Sequence, residues 1–149
     1  MIKNISIFTA IIITFIGCNK EKPTQETSEL FVGQLILSKV DEVFERTDYV
    51  NLTITGNSYD LRHVTNTSNL CDSFGTQRGF GTNRITLSPD TTLPGINCDN
   101  KRIPKGEFKA VFNGTSLELG PKIDTLYIEI GENDTRREIW SYHFKLVEQ

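Results

Sequence analysis

The chain is poor in cysteine and histidine and has no long apolar run. Among 149 residues there are three Cys and two His, and 16 Lys and Arg stand against 19 Asp and Glu. Each shortage removes a class of function. There is no CxxC pair, and His63 and His143 stand 80 residues apart, so no metal centre is expected. No GxSxG, HExxH, Walker loop or GxGxxG is present, which removes the familiar hydrolase, metalloprotease and nucleotide sites. A net charge of −3 supplies no basic stripe to release counterions from phosphates, which excludes nucleic acid as a partner. It also argues against direct adhesion to anionic headgroups. The main apolar run, Ile5 to Gly17, falls short of the roughly 20 residues that cross a bilayer as a helix.

That short run is informative by its position. Lys3 supplies one positive charge ahead of it, small Gly17 ends it, and Cys18 follows, with polar sequence immediately after. This is the order of a bacterial lipoprotein signal peptide. Phe15, Ile16, Gly17 and Cys18 fill the four lipobox places, with Phe15 where Leu is preferred. The expectation is that residues 1–17 are removed and the Cys18 thiol is acylated with palmitate-like chains. One chain alone, at about 0.8 kcal/mol per buried methylene, holds only marginally; the three chains typical of mature bacterial lipoproteins would anchor permanently. Asn19 is not the Asp that marks inner-membrane retention, so the expected address is the outer membrane of the cell envelope. Residues 18–28 (CNKEKPTQETS) are polar and read as a flexible tether. Residues 29–149 suffice for one domain.

With Cys18 assigned to lipid, Cys71 and Cys98 remain. An even pair in an oxidising compartment predicts a disulfide, stabilising by about 3–4 kcal/mol in the chain-entropy model. Asp90, Asp99 and Asn100 would be a cation site only if folding gathered them, and EF-hand spacing is absent.

Past the tether the chain has no 3.6-residue apolar period and repeated two-residue alternation. Phe31–Val40 is an extended apolar segment. Val50, Leu52 and Ile54 alternate with polar residues, Gly56-Asn57 turns, and Tyr59, Leu61 and His63 return. Arg84–Ser88 follows the turn glycines Gly79 and Gly81. Pro89–Pro104 reads as a long loop pinned by Cys98. Glu107–Phe112, Asn113-Gly114 and Thr115–Leu119 form a second clear hairpin, which Gly120-Pro121 is expected to break. Asp124–Ile130 and Arg137–Leu146 close the domain, the latter with Trp140, Tyr142, Phe144 and Leu146 facing inward. About eight or nine short strands joined by hairpins predict an all-β fold, a small antiparallel up-and-down barrel whose closure hides its sheet edges.

The segments VNLTIT, YDLRHV and CDSFGTQRGFGTNRITL, the hairpin GEFKAVFNGTSLEL and the closing strand IWSYHFKLVEQ together resemble a family of small Bacteroidota lipoproteins with a lipocalin-like barrel. The resemblance spans roughly residues 30–149 and implies fold and anchoring. Gly33-Gln34-Leu35 stands where lipocalins at large carry Gly-x-Trp. Lys20-Glu21-Lys22 resembles the charged surface-export tags of such lipoproteins, and Asp90-Thr91-Thr92 and Asp124-Thr125-Leu126 resemble their O-glycosylation sites.

No catalytic constellation stands out and no cofactor is expected; the chain does not read as an enzyme. His63 and His143 read as core or solvated residues. The function expected is that of a lipid-anchored interaction platform contacting an envelope protein partner. The alternative is a small apolar ligand held in the barrel interior, with Phe108, Phe112, Trp140, Tyr142 and Phe144 as the candidate pocket.

Overall fold

The computed structural model describes residues 27–67, 69–93, 98–99, 102–131 and 134–149. The expected lipidation site Cys18 and nearly all of the tether lie outside them. Eight strands form one closed antiparallel barrel in up-and-down order. They are β1 (Ser28–Lys39), β2 (Phe44–Thr55), β3 (Ser58–Thr65), β4 (Asp72–Arg78), β5 (Arg84–Leu93), β6 (Gly106–Asn113), β7 (Ser116–Gly131) and β8 (Asp134–Glu148). The all-β barrel expected from alternation is therefore the fold.

The two ends of the barrel differ because their connections differ. At one end the strands are joined by tight turns at Gly56-Asn57, at 79–83 and at Asn113-Gly114. Gly56, Gly79, Gly81 and Gly114 take positive φ there, as tight hairpins require. Buried Gln77 ties two of these turns together, its Nε2 donating to Gly56 O at 2.6 Å. Phe80 packs edge-on against Phe31 (5.8 Å) and Phe112 (5.3 Å), plugging this closed end. Ser28 also lies here, opposite Thr55.

Inward positions follow the two-residue period on every strand. Leu35, Leu52, Leu61, Leu119, Phe108, Tyr142 and Phe144 are completely buried, and Phe108 and Phe144 meet edge to face at 5.8 Å. The barrel closes where β1 meets β8, with Leu35 opposite Phe144, Leu37 opposite Tyr142 and Lys39 opposite Trp140.

Two strands run further than their prolines suggested. β5 continues through Pro89 to Leu93, and β7 is one strand across Gly120-Pro121. The reason is the same in both cases. Proline removes a ladder donor, but each of these prolines sits beside an irregularity and past the end of one neighbour. β5 pairs with β6 only as far as Leu87–Gly106, and the β4–β5 register shifts between Phe74 and Gly75. β7 pairs with β6 only as far as Leu119, and the β7–β8 register shifts between Leu119 and Lys122. Beyond this point β7 and β8 continue as a long hairpin past Lys39–Trp140, the last pair that β1 makes with β8.

Candidate functional site

The other end is an open mouth, and its side chains are charged. Lys39 is the last inward residue of β1, Phe44 and Arg46 are the first inward residues of β2, and Glu138 and Trp140 are inward on β8. A further cation comes from the β5–β6 connection. There Cys71 and Cys98 form the expected disulfide, Leu70 bridges Asp99, and Asp99 N donates to Asn69 O. This fastening carries Asp99 and Arg102 to the mouth. Ile103, next in sequence, is buried.

Glu138 is the hub. Its Oε2 accepts Trp140 Nε1 at 2.8 Å and Arg102 at 2.9 and 3.3 Å. Its Oε1 lies 3.6 Å from Arg136 Nε and 3.9 Å from Lys39 Nζ. Burial pushes the Glu138 carboxyl up, but the Trp140 hydrogen bond and the Arg102 and Lys39 charges outweigh it, so its pKa lies below the usual value. Arg102 also pairs with Asp99. Its guanidinium carbon stands 4.9 Å from the Trp140 ring centre. Phe44 meets Trp140 edge to face at 5.5 Å, and Arg46 lies over Phe44 at 5.0 Å. Guanidinium, phenyl, indole and guanidinium thus follow one another in contact across the mouth. On the β1–β2 turn, Glu42 pairs with Lys39 and accepts Arg136 NH2 at 3.0 Å, which ties the turn to the long β7–β8 hairpin. These residues enclose a cavity of about 260 Å³ lined by Lys39, Glu42, Phe44, Arg46, Arg102 and Trp140, with Leu37 beneath.

Asp48 and His63 face inward on β2 and β3. The side chain of His63 is fully buried and that of Asp48 nearly so. Asp48 Oδ1 accepts Thr67 N at 2.8 Å and Thr67 Oγ1 at 2.7 Å. His63 Nδ1 approaches Asp48 Oδ2 to 3.2 Å, off the line of a directed hydrogen bond. Burial lowers the imidazole pKa, and the carboxylates of Asp48 and Asp72 pull the other way without overcoming it.

The five aromatic residues expected to line one pocket are dispersed. Trp140 lines the mouth cavity. Phe108, Tyr142 and Phe144 are fully buried below it, and burial pushes the Tyr142 phenol well above its usual pKa. Phe112 stands at the closed end against Phe80, 38% exposed. His143 faces outward and meets Glu118. Asp90 is exposed on β5, Asp99 is held by Arg102, and Asn100 lies outside the described residues. Among the described residues no three His, Cys, Asp or Glu side chains gather as a metal site. The residues missed by sequence reasoning are Lys39, Glu42, Phe44, Arg46, Arg102 and Glu138. One signal was present for three of them: Lys39, Arg46 and Glu138 are charges on the inward parity of alternating strands.

The arrangement holds charge and aromatic surface in place around a small concavity, which suits recognition of a ligand or of a partner's side chain. No protein-family model, no curated protein and no solved structure matches this chain.

Proposed function

We propose that this protein is a lipid-anchored envelope protein that works by binding, with the open mouth as its contact surface. One observation carries the reading: the mouth cavity and the start of β1 lie at opposite ends of the barrel. A chain anchored through Cys18 enters the barrel at Ser28, beside the Phe31–Phe80–Phe112 plug. The anchor would then hold the closed end toward the membrane and turn Trp140, Arg102 and Lys39 away from it. Asn19 after Cys18, in place of the Asp of inner-membrane retention, supports an outer-membrane address.

The filled interior favours the mouth over the deep barrel. A ligand in the barrel interior would have to displace Phe108, Tyr142 and Phe144, all fully buried. A cavity of about 260 Å³ is below the roughly 300–1,000 Å³ usual for drug-sized ligands and suits a single protruding group.

The test has two arms in the native host. Radiolabelled palmitate should enter the wild-type chain and not Cys18→Ala. A photo-crosslinker placed at Val43, in the exposed turn of the mouth, should capture a defined partner that the same crosslinker at Asn57, at the closed end, does not. Equal labelling of the two chains removes the anchor. Equal capture at both ends removes the mouth as the contact surface.

A further inference from the structure

We propose that the mouth receives a carboxylate carried on a flat apolar group, and that Glu42 is a resident carboxylate which this ligand displaces. The inference rests on reading the mouth as the contact surface.

Glu42 already shows what the site accepts. It sits on the β1–β2 turn, 51% exposed, yet its carboxylate reaches Lys39 and Arg136. The Lys39 side chain is 6% exposed. Without Glu42, its nearest carboxylate oxygen among the described residues would be Glu138 Oε1 at 3.9 Å, beyond hydrogen-bond reach. A buried ammonium in that position needs an anion. Glu138 cannot move in to serve, because Trp140 and Arg102 hold its other oxygen. An external carboxylate can take the place of Glu42 with no change in the local charge. Glu42 can leave because it is the exposed partner, on a turn whose neighbour Val43 is fully open to solvent.

The walls decide what accompanies the carboxylate. Phe44, Trp140 and Leu37 give apolar surface next to Lys39, and about 260 Å³ accommodates one ring with its acid group. A cationic ligand would meet three lining cations, Lys39, Arg46 and Arg102, against one lining carboxylate, Glu42, and is disfavoured. Two sources share the accepted chemistry: a free aromatic acid, and the C-terminal residue of a protein chain ending in an aromatic side chain.

Trp140 is the chain's single tryptophan and lies in the site, so its fluorescence reports occupancy. The full chain in detergent micelles would be titrated with phenylacetate, with phenethylamine, and with a short peptide ending in Phe as either free acid or amide, each repeated by calorimetry. Phenylacetate should bind saturably and phenethylamine should not. Glu42→Gln, which loses the internal competitor, should bind about two- to fivefold tighter, the scale of one partly exposed ion pair. Lys39→Met should weaken binding at least tenfold while its circular dichroism stays that of the wild type. Should Lys39→Met fail to fold, the Glu42→Gln comparison decides alone. Tighter binding of the free-acid peptide than of phenylacetate assigns the source to a protein terminus, and the reverse order assigns it to a small acid. The proposal is overturned if phenylacetate and the free-acid peptide both fail to bind, if phenethylamine binds as well as they do, or if Glu42→Gln binds no tighter than wild type. Failure of palmitate labelling at Cys18 would leave these titrations standing, so loss of the anchor and loss of the ligand are distinguishable.

Discussion

Gly33 of β1 lies directly opposite Leu146 of β8, at the seam that closes the barrel. A Cβ on Gly33 would fall 2.1 Å from the Lys145 carbonyl oxygen and 2.9 Å from Leu146 Cα, both backbone atoms. The two strands can approach only because residue 33 has no side chain. Gly33→Ala should therefore force the seam apart and cost about 3 kcal/mol, the upper end of the usual range for overpacking a packed interior. Gly81→Ala is the control. It meets no atom within 4 Å and bears only the strain of φ +83°, so about 1–2 kcal/mol is expected. Urea denaturation of both variants checks the order, and a Gly33→Ala protein as stable as Gly81→Ala would refute the seam argument.

The disulfide should matter to the mouth as well as to stability. Cys71 and Cys98 are 27 residues apart, a separation for which chain entropy predicts about 3–4 kcal/mol. Cys98 also begins the segment that brings Asp99 and Arg102 to Trp140. The double variant Cys71→Ser/Cys98→Ser should lose that stability and shift the Trp140 emission toward that of a more solvated indole under native conditions. A stability loss with unchanged emission would mean that Arg102 is held in place without the bridge.

His63 should give the protein an acid-sensitive core. Burial lowers its pKa from the ordinary 6.5, so the folded chain holds it neutral where the unfolded chain takes up a proton. Stability is unaffected well above pH 6.5. It falls as pH drops below that value, and the loss stops once the folded imidazole is also protonated. The expected result is a decline between pH 7 and pH 5 in wild type that His63→Gln does not share. Denaturation midpoints at the two pH values measure it; equal declines would assign the acid sensitivity elsewhere.

Much of the barrel was legible because its signals are local. Alternation at Val50–Ile54 and Trp140–Leu146 declares which face is inward, and Gly56-Asn57 and Asn113-Gly114 declare the turns. The disulfide followed from counting. Pro89 and Pro121 mislead in one dimension because a proline ends a strand only where its missing N–H would have been paired, and whether β6 still runs alongside is a tertiary fact. The mouth was illegible for a related reason. Lys39, Glu42, Arg102 and Glu138 come from β1, a turn, a disulfide-held loop and β8, and no spacing in one dimension announces that they meet. The inward parity of Lys39 and of Glu138 was the local trace of charges that needed buried partners.

That carboxylate supports the final prediction. Glu138 faces Lys39, Arg102 and Arg136 and accepts a hydrogen bond from the Trp140 indole N–H. Glu138→Gln keeps an oxygen for the indole but removes the negative charge, leaving Lys39 and Arg136 to share Glu42, and Arg102 with Asp99 alone, two carboxylates against three cations. The expected cost at pH 7 is about 2–3 kcal/mol, less than for a fully sealed pair because Arg102 and Arg136 reach water. The pH dependence separates this from simple mispacking. The folded Glu138 carboxyl has its pKa lowered from the usual 4.5, so the wild type keeps its full contribution above that value and loses it as pH falls through the folded pKa. The variant has no such group. Wild type and Glu138→Gln should thus differ most near neutrality and converge in acid, in a window below that of His63, whose decline starts at pH 6.5. A gap between the two proteins that stays constant from pH 7 to pH 3 would show that shape, and not charge, is what Glu138 contributes to the mouth.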